Sequence, residues 1–415
     1  MKQGWEIKKL GDVCELITKG TTPTSLGFHF TDEGVNFIKV ESLTESGQII
    51  PKKVAYISED CHESLKRSQL KVNDILFSIA GALGRIGIVN KEIVPANTNQ
   101  ALAIIRLAND SGILVSFLAK YFTSNKIVEE IENLKGGAAQ QNLSLGQLNN
   151  LSISIPPLPE QQNIVAILDE AFTAINKAKA NAQQNLKNAK ELFESYFQNI
   201  FEKKGQDWID TCLKSEIELI TGFAFKSKNY TELDDDIVLL RGDNIMQGNF
   251  RWDDVKRWKK SEYDDFKKYQ LKEHDIVLAM DRPWVKAGLK CARLSKFDLP
   301  ALLLQRTACL RNKSKIDNTF LYYLVKSKGF MNHLLEVQTG IGVPHISGQQ
   351  ILSFCFFKPP LLQQQTIVQK LDALNKETKK LEAIYQQKIN DLEELKKSIL
   401  QKAFAGELKT TKELV

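Results

Sequence analysis

The sequence predicts an α+β chain built twice over: two tandem α/β-type globular parts, each followed by a long helix. Three observations carry that prediction. The stretch PPLPEQQNIVAILDEAF from Pro156 returns from Pro359 as PPLLQQQTIVQKLDALN, identical at 9 of 17 positions with an offset of 203 residues. The echo extends on both sides. ELIT at Glu15–Thr18 recurs at Glu218–Thr221, and LKVNDILFS from Leu70 aligns with LKEHDIVLA from Leu271. FLAKYFTS from Phe117 matches FLYYLVKS from Phe320, and Gly137–Ser144 matches Gly340–Ser347. Finally, residues 160–201 hold no Gly or Pro and carry a seven-residue repeat. A period near 200 residues is too long for a solenoid, so the duplicated unit is a whole domain with the helix behind it. A chain of 415 residues also exceeds one ordinary hydrophobic core.

The organisation expected is a first domain over 1–158, a helix over 159–203, a second domain over 204–361 and a second helix over 362–415. Within the domains, VNFIKVESL, NDILFSIAG, DIVLLRGDNI and HDIVLAM read as strands bounded by turn residues. ILVSFLAKYFTSNKIVEEIENL and TFLYYLVKSKGFMNHLLEV read as amphipathic helices. LSISI at 151–155 reads as a last strand with Leu151, Ile153 and Ile155 on one side, closed by prolines that lack a ladder donor. Beyond it, Leu168, Ile175, Ala182, Ala189 and Tyr196 recur every seven residues, with Ala171, Ala178 and Leu192 interleaved. In the second copy Leu371, Thr378, Tyr385, Leu392 and Ile399 do the same, with Leu374, Leu381 and Leu395 between them. Sustained heptads call for a partner helix. Two copies in one chain meet at high effective concentration. An antiparallel coiled coil with pseudo-twofold symmetry is therefore expected, a rod of roughly 60 Å at about 1.5 Å per residue.

Composition excludes several classes. No apolar run reaches the roughly 18–20 residues of a membrane helix, and MKQGWEIKKLGD lacks the apolar stretch of a signal peptide. A cytoplasmic location is the expectation. Six scattered cysteines form no CxxC pair, so neither a disulfide framework nor a zinc site is expected. The net charge of +6, from 56 basic and 50 acidic residues, leans mildly towards polyanions.

Catalytic motifs are missing. An amino-methyltransferase needs a Gly-rich cofactor loop and an Asn/Asp-Pro-Pro-aromatic grip on a flipped base. The Pro-Pro pairs here, SIPPLP and FKPPLL, lack the preceding Asn or Asp. GALGRIG at 81–87 and TGIGV at 339–343 are not G-x-G-x-x-G and read as turns, and no GxxxxGK[ST] is present.

The ordered motifs resemble the specificity subunit of type I restriction–modification systems. They are WEIKKLGDV at 5–13, GTTP at 20–23, GFAFKS at 222–227, PPLPEQQ and PPLLQQQ, and AFAGEL at 403–408. The resemblance spans essentially the whole chain. It implies two target recognition domains, each reading half of a bipartite double-stranded DNA site, with the helices setting the gap. It also implies two adenine methyltransferase subunits and motor-nuclease restriction subunits as partners. Those partners would bind S-adenosylmethionine, ATP and Mg, this chain none of them. The alternatives from the residues are a single-chain methyltransferase or nuclease, and a coiled-coil scaffold whose heads bind protein or glycan.

Candidate DNA-contacting residues follow from side-chain chemistry and loop position. In AMDRPWVKAGLK, Arg282, Trp284 and Lys286 lie just beyond a strand among Pro and Gly, and Arg85 occupies the matching turn of the first copy. NTNQ at Asn97–Gln100, with Asn99 inside it, is aligned with LLQR at 303–306, adding Gln305 and Arg306. Asn142 and His345 hold matching places, with His345 also readable as a structural residue. Lys19, Thr21 and Lys226 sit in or beside the opening loops, and Arg241 lies in the strand segment DIVLLRGDNI. The stretch 251–268 reads equally as a solvated face or a DNA grip. Because the copies share framework and differ in these loops, an asymmetric target is expected, with half-site centres about one turn or roughly 10 base pairs apart.

Overall fold

The computed structural model describes residues 4–44, 47–134, 142–285, 288–313, 316–338 and 344–408. The chain divides into two compact units, residues 1–183 with 386–415, and residues 184–385. A long helix, Leu158–Glu202, contributes its first part to one unit and its last part to the other, and a second, Leu361–Ala405, does so in the opposite order.

In the first unit a four-stranded antiparallel sheet runs in the order Cys14–Lys19, Leu102–Leu107, Ile75–Ser78, Ile86–Ile88. A three-stranded sheet sets Val35–Ile38 antiparallel to Ala55–Ile57 and parallel to Ala96–Thr98. A ribbon pairs Glu6–Lys9 with Ser152–Ile155. The strand at 75–78 is buried along its whole length. The core takes in Phe77, Phe117, Tyr121 and Phe122, with Ile164 and Leu168 of one long helix and Leu400, Ala403 and Phe404 of the other. Phe404 lies edge-on to Tyr121, ring centroids 5.2 Å apart.

The second unit repeats this plan. Its four-stranded sheet runs Ile217–Thr221, Thr307–Asn312, Ile276–Ala279, Cys291–Arg293. Its three-stranded sheet combines Lys256–Trp258, Ile237–Leu240 and Ala301–Leu303, and its ribbon pairs Ile209–Cys212 with Cys355–Lys358. Phe201 packs on Phe320 at 5.4 Å, as Phe404 packs on Phe117 in the first unit at 5.7 Å.

The repeated glutamines are clamps. Gln161, fully buried, accepts from the Leu114 amide at 2.9 Å and donates to the Gly112 and Pro156 carbonyls. Gln364, equally buried, accepts from the Asp317 amide at 2.7 Å and donates to the Pro359 carbonyl. Buried amides must be satisfied, so each Gln ties the start of a long helix to its own domain. Trp5 and Trp208 add matching bonds from their indole N–H to Glu160 and Gln363.

Helix pairing is antiparallel within each unit. In the first, Leu168 shares a core with Leu400 and Phe404, while Lys179, further along its helix, pairs with the earlier Glu393. In the second, Lys190 lies 4.0 Å from Glu382, while the later Phe197 packs with the earlier Leu371. The seven-residue seam holds at Leu168, Ile175, Ala182 and Ala189, all buried. It then advances by four to Phe193 and Phe197, a step that shifts the contact stripe off the heptad. Tyr196, expected in the seam, is therefore 39% exposed, with Leu192 exposed beside it. In the second helix Leu371 is buried, Thr378 is buried, and Leu374, Tyr385, Leu392 and Ile399 are half-buried. Leu381 and Leu395 are exposed, a correction to the expected seam, while their neighbours Glu382 and Lys396 are half-buried.

Three further expectations are corrected. Each amphipathic segment read as one helix is two: Val115–Phe122 with Asn125–Leu134, and Asn318–Lys326 with Lys328–Val337. Ser327 causes the second break, leaving the helical region at ψ 154° while its hydroxyl accepts from the Phe330 amide as an N-cap. Cys212 and Cys355, on facing ribbon positions, form a disulfide, where none was expected. Strand separation of 143 residues hid that pairing. Finally, ELIT is out of register. A bulge at Glu15 places Leu16 opposite Arg106, as Glu218 lies opposite Arg311, so the structural offset there is 202.

Candidate nucleic-acid interface

The two sheets fix equivalent loop positions through matched backbone bonds. Ile79 N–H donates to the Ala101 carbonyl at 2.9 Å, and Met280 N–H to the Arg306 carbonyl at 2.9 Å. Leu143 N–H donates to Ile79, and Ile346 N–H to Met280. Ser78 N–H donates to Arg85, and Ala279 N–H to Lys290. Thus Ala80, Gly81, Arg85, Ala101 and Asn142 of the first unit correspond to Asp281, Arg282, Lys290, Arg306 and His345 of the second. The parallel pairs Ile38–Thr98 and Leu240–Leu303 likewise match Lys39 to Arg241. They also correct the alignment of NTNQ with LLQR by one residue: Gln100 corresponds to Gln305, not to Arg306.

In the second unit all of these positions except His345 line a cavity of about 440 Å³. Its walls carry four cations, Arg241, Arg282, Lys290 and Arg306, against two carboxylates, Asp243 and Asp281. Asp281 joins the far ends of the cluster, 3.2 Å from an Arg306 terminal nitrogen and 2.5 Å from His345 Nδ1. Burial lowers the Lys290 ammonium's pKa; Asp243 opposes that, and Arg251 and Arg282 add to it. Arg282 and Arg306 adopt left-handed backbone, φ 46° and 65°, which costs a side-chain-bearing residue roughly 1–2 kcal/mol. Gly81, the counterpart of Arg282, takes the same region at φ 75°, where glycine is at ease.

The first unit arranges a different set. Thr22 hydrogen-bonds Gln100, and the Thr21 hydroxyl lies 3.5 Å from an Arg67 terminal nitrogen. Lys39 sits over the Phe30 ring at 4.0 Å. Gly20 and Gly222, which open the two loops, approach the carbonyls of Thr98 and Leu304 so closely that any Cβ would collide with them.

Other candidates separate into exposed and committed residues. Lys19, Gln100, Asn142, Lys226 and Gln305 are exposed, and Arg85 is half-buried. Asn97 is a correction: it is fully buried, its amide donating to the Leu65 carbonyl and the Ser68 hydroxyl and its oxygen meeting His62, so it holds the core. Asn99 is half-buried and accepts from the Ala101 amide at 3.2 Å, shaping the turn. Arg241 is tied to Asp254 at 2.9 Å, and Trp284 packs against the domain core. In the stretch 251–268, Trp258 is buried against Phe225 and Phe266. Lys286 lies outside the described residues, as do 137–141 and 339–343. Sequence reading missed Asp281, Lys290, Lys39 and Arg67. For Lys290 the signal was its place before the strand Cys291–Arg293, matching Arg85 before Ile86–Ile88. No group of His, Cys, Asp and Glu suited to a metal occurs among the described residues, nor any helix long and apolar enough to cross a membrane.

A duplicated α+β reader with unlike loop chemistry in its two copies, mounted on paired long helices, is the class this geometry defines. The chain belongs to the type I restriction modification DNA specificity domain family, whose model matches twice, over residues 2–187 and 205–394. Among its relatives is the type I restriction enzyme MjaVIII specificity subunit of Methanocaldococcus jannaschii, 26% identical over 78% of this chain and 82% of that protein. The putative MjaX specificity subunit of the same organism is 23% identical over 98% and 94%. The EcoAI specificity subunit of Escherichia coli is 38% identical over 182 residues, 44% of this chain but only 30% of that protein. The fold matches the HsdS subunit from Thermoanaerobacter tengcongensis, with TM-score 0.66, 18% identity, and 98% of each chain covered. It also matches a chain solved in work on complex assembly and conformational transition of the type I R-M system, with TM-score 0.77, 18% identity, and 98% and 99% covered. The reading as a protein- or glycan-binding scaffold finds no support among these relatives.

Proposed function

We propose that this chain is the DNA-reading, non-catalytic subunit of a type I restriction–modification assembly, each unit reading one half of an asymmetric bipartite site. The long helices set the spacer and present surfaces for two methyltransferase subunits, through which motor-nuclease subunits join. S-adenosylmethionine, ATP and Mg are bound by those partners, and the assembly works in the cytoplasm. The single observation that carries this reading is the repeated framework with exchanged loop chemistry: Ala80, Gly81, Ala101 and Asn142 in one copy, Asp281, Arg282, Arg306 and His345 in the other. A reader duplicated on one framework and carrying different side chains at matched loop positions recognises two different short sequences.

The test is selection from a randomised duplex library by the full chain with its methyltransferase subunit. Two unlike short motifs at a fixed gap are expected. Binding that enriches no motif, or the same motif twice, overturns the proposal.

A further inference from the structure

The cations of the second unit's loop cluster are interleaved with carboxylates, and two of them sit on left-handed backbone. We propose that Arg282 and Arg306, the latter braced by Asp281, read guanine edges in the major groove, giving the second unit's half-site a guanine requirement that the first unit lacks at the equivalent place. This inference rests on the DNA-reading function proposed above and names the chemistry of one half-site.

The mixed charge decides between the two things an arginine does on DNA. A phosphate grip gains from cations alone, and a carboxylate 3.2 Å from the guanidinium works against an approaching phosphate. A base edge is different. Guanine presents two acceptors, O6 and N7, in one plane, which a guanidinium meets with two parallel N–H donors. A carboxylate that fixes one terminal nitrogen orients that fork before DNA arrives and limits the rotamer freedom lost on binding. Asp281 forms an ion pair of this kind with Arg306, and His345 Nδ1 lies 2.5 Å from its other oxygen. The Arg306 side chain remains 72% exposed, so the brace does not bury it. A carboxylate beside the fork also suits the cytosine amino group paired with guanine.

The backbone adds an independent argument. Arg282 N–H donates to the Pro344 carbonyl at 2.9 Å, and the Arg306 carbonyl accepts from Met280 at 2.9 Å, so both Cα positions are pinned. The first unit has the same turn at 81 and the same bond at 101, made with Gly and Ala. The fold therefore does not require arginine at either place, and at 282 the left-handed turn favours glycine. Residues that oppose their local backbone preference concentrate where function demands them.

The experiment starts from the bipartite site selected by the full chain with its methyltransferase subunit. Each guanine in turn is replaced by 7-deazaguanine, which lacks the N7 acceptor, and duplex affinity is measured for wild type, Arg306→Lys and Arg282→Gly. Expected is a loss of about 10- to 100-fold at one or two guanines of one half-site in wild type. That loss shrinks in the variants, and the other half-site is unaffected. Arg306→Lys keeps the charge but not the fork, and melting temperatures establish that both variants fold. A half-site without guanine, or variants that leave the deazaguanine effect intact, overturns the inference while leaving the DNA-reading proposal standing. So does a loss equal across all sequences with the salt slope reduced by about one, the mark of a phosphate contact. Failure of wild type to select any bipartite site overturns the DNA-reading proposal itself and this inference with it.

Discussion

The two units share the strand order of their sheets and differ in the chemistry of their loops. Asp74 with Arg106 and Asp275 with Arg311 form the same ion pair, in both cases with two bonds from the guanidinium to the carboxylate. Gln161 and Gln364 make the same clamp, and Phe404 and Phe201 pack on the same helix of their respective units. A few residues away, four neighbouring positions on this common frame carry Ala, Gly, Ala and Asn in one unit and Asp, Arg, Arg and His in the other. What holds the fold and what varies at the loops proposed to read DNA are thus separable, and each half of the comparison can be broken alone.

The largest effect is expected at the ion pairs. Asp74 is fully buried and Asp275 is 3% exposed, and each also accepts a backbone amide, from Lys71 and Lys272. Removing one partner of a buried pair strands the other, at about 3–5 kcal/mol. Asp74→Ala and Asp275→Ala are each expected to lower the stability of their own unit by that amount, read by hydrogen exchange resolved along the chain. If one variant costs under about 1 kcal/mol while the other costs the full amount, the two frames are not equivalent.

A smaller loss tests the clamps. Replacing Gln161 or Gln364 by Leu leaves the amides of Leu114 or Asp317 without their acceptor, worth about 1–3 kcal/mol each. Earlier exchange at 112–114 is expected for the first variant, and around Asp317 for the second. A clamp that mattered in only one unit would show early exchange in that variant alone.

Legibility in the sequence follows the same division. The duplication, the strand positions and the heptads were readable because framework residues repeat in identity or periodicity. The seam failed at Tyr196 because Phe193 and Phe197 advance it by four, a step that the neighbouring heptad matches concealed. ELIT misled for a different reason: identical letters were kept while a bulge at Glu15 moved the pairing by one residue. Asn97 looked like a loop residue because its partners, His62, Leu65 and Ser68, come from a segment about 30 residues earlier. The brace between Arg306, Asp281 and His345 joins three separate loops, and only the folded sheet brings them together. Arg282 and Arg306 were readable as candidates from residue type, but the backbone strain they carry was not.

That strain gives the smallest effect and the one of opposite sign. Arg282→Gly places in the second unit the residue that the first unit uses in the same left-handed turn. Relief of the side-chain clash outweighs the added freedom of the unfolded glycine, so the second unit is expected to gain up to about 1 kcal/mol. The reciprocal Gly81→Arg meets no atom within 4 Å of the added Cβ, so its expected loss of about 1–2 kcal/mol reports backbone strain and not crowding. Urea unfolding of the two variants measures both. A second unit that is unchanged or weakened by Arg282→Gly would mean that contacts of the arginine repay its conformation within the fold. Its retention would then need no ligand to explain it. A gain beside a loss of guanine dependence would show an arginine kept against the fold's preference for the sake of what it reads.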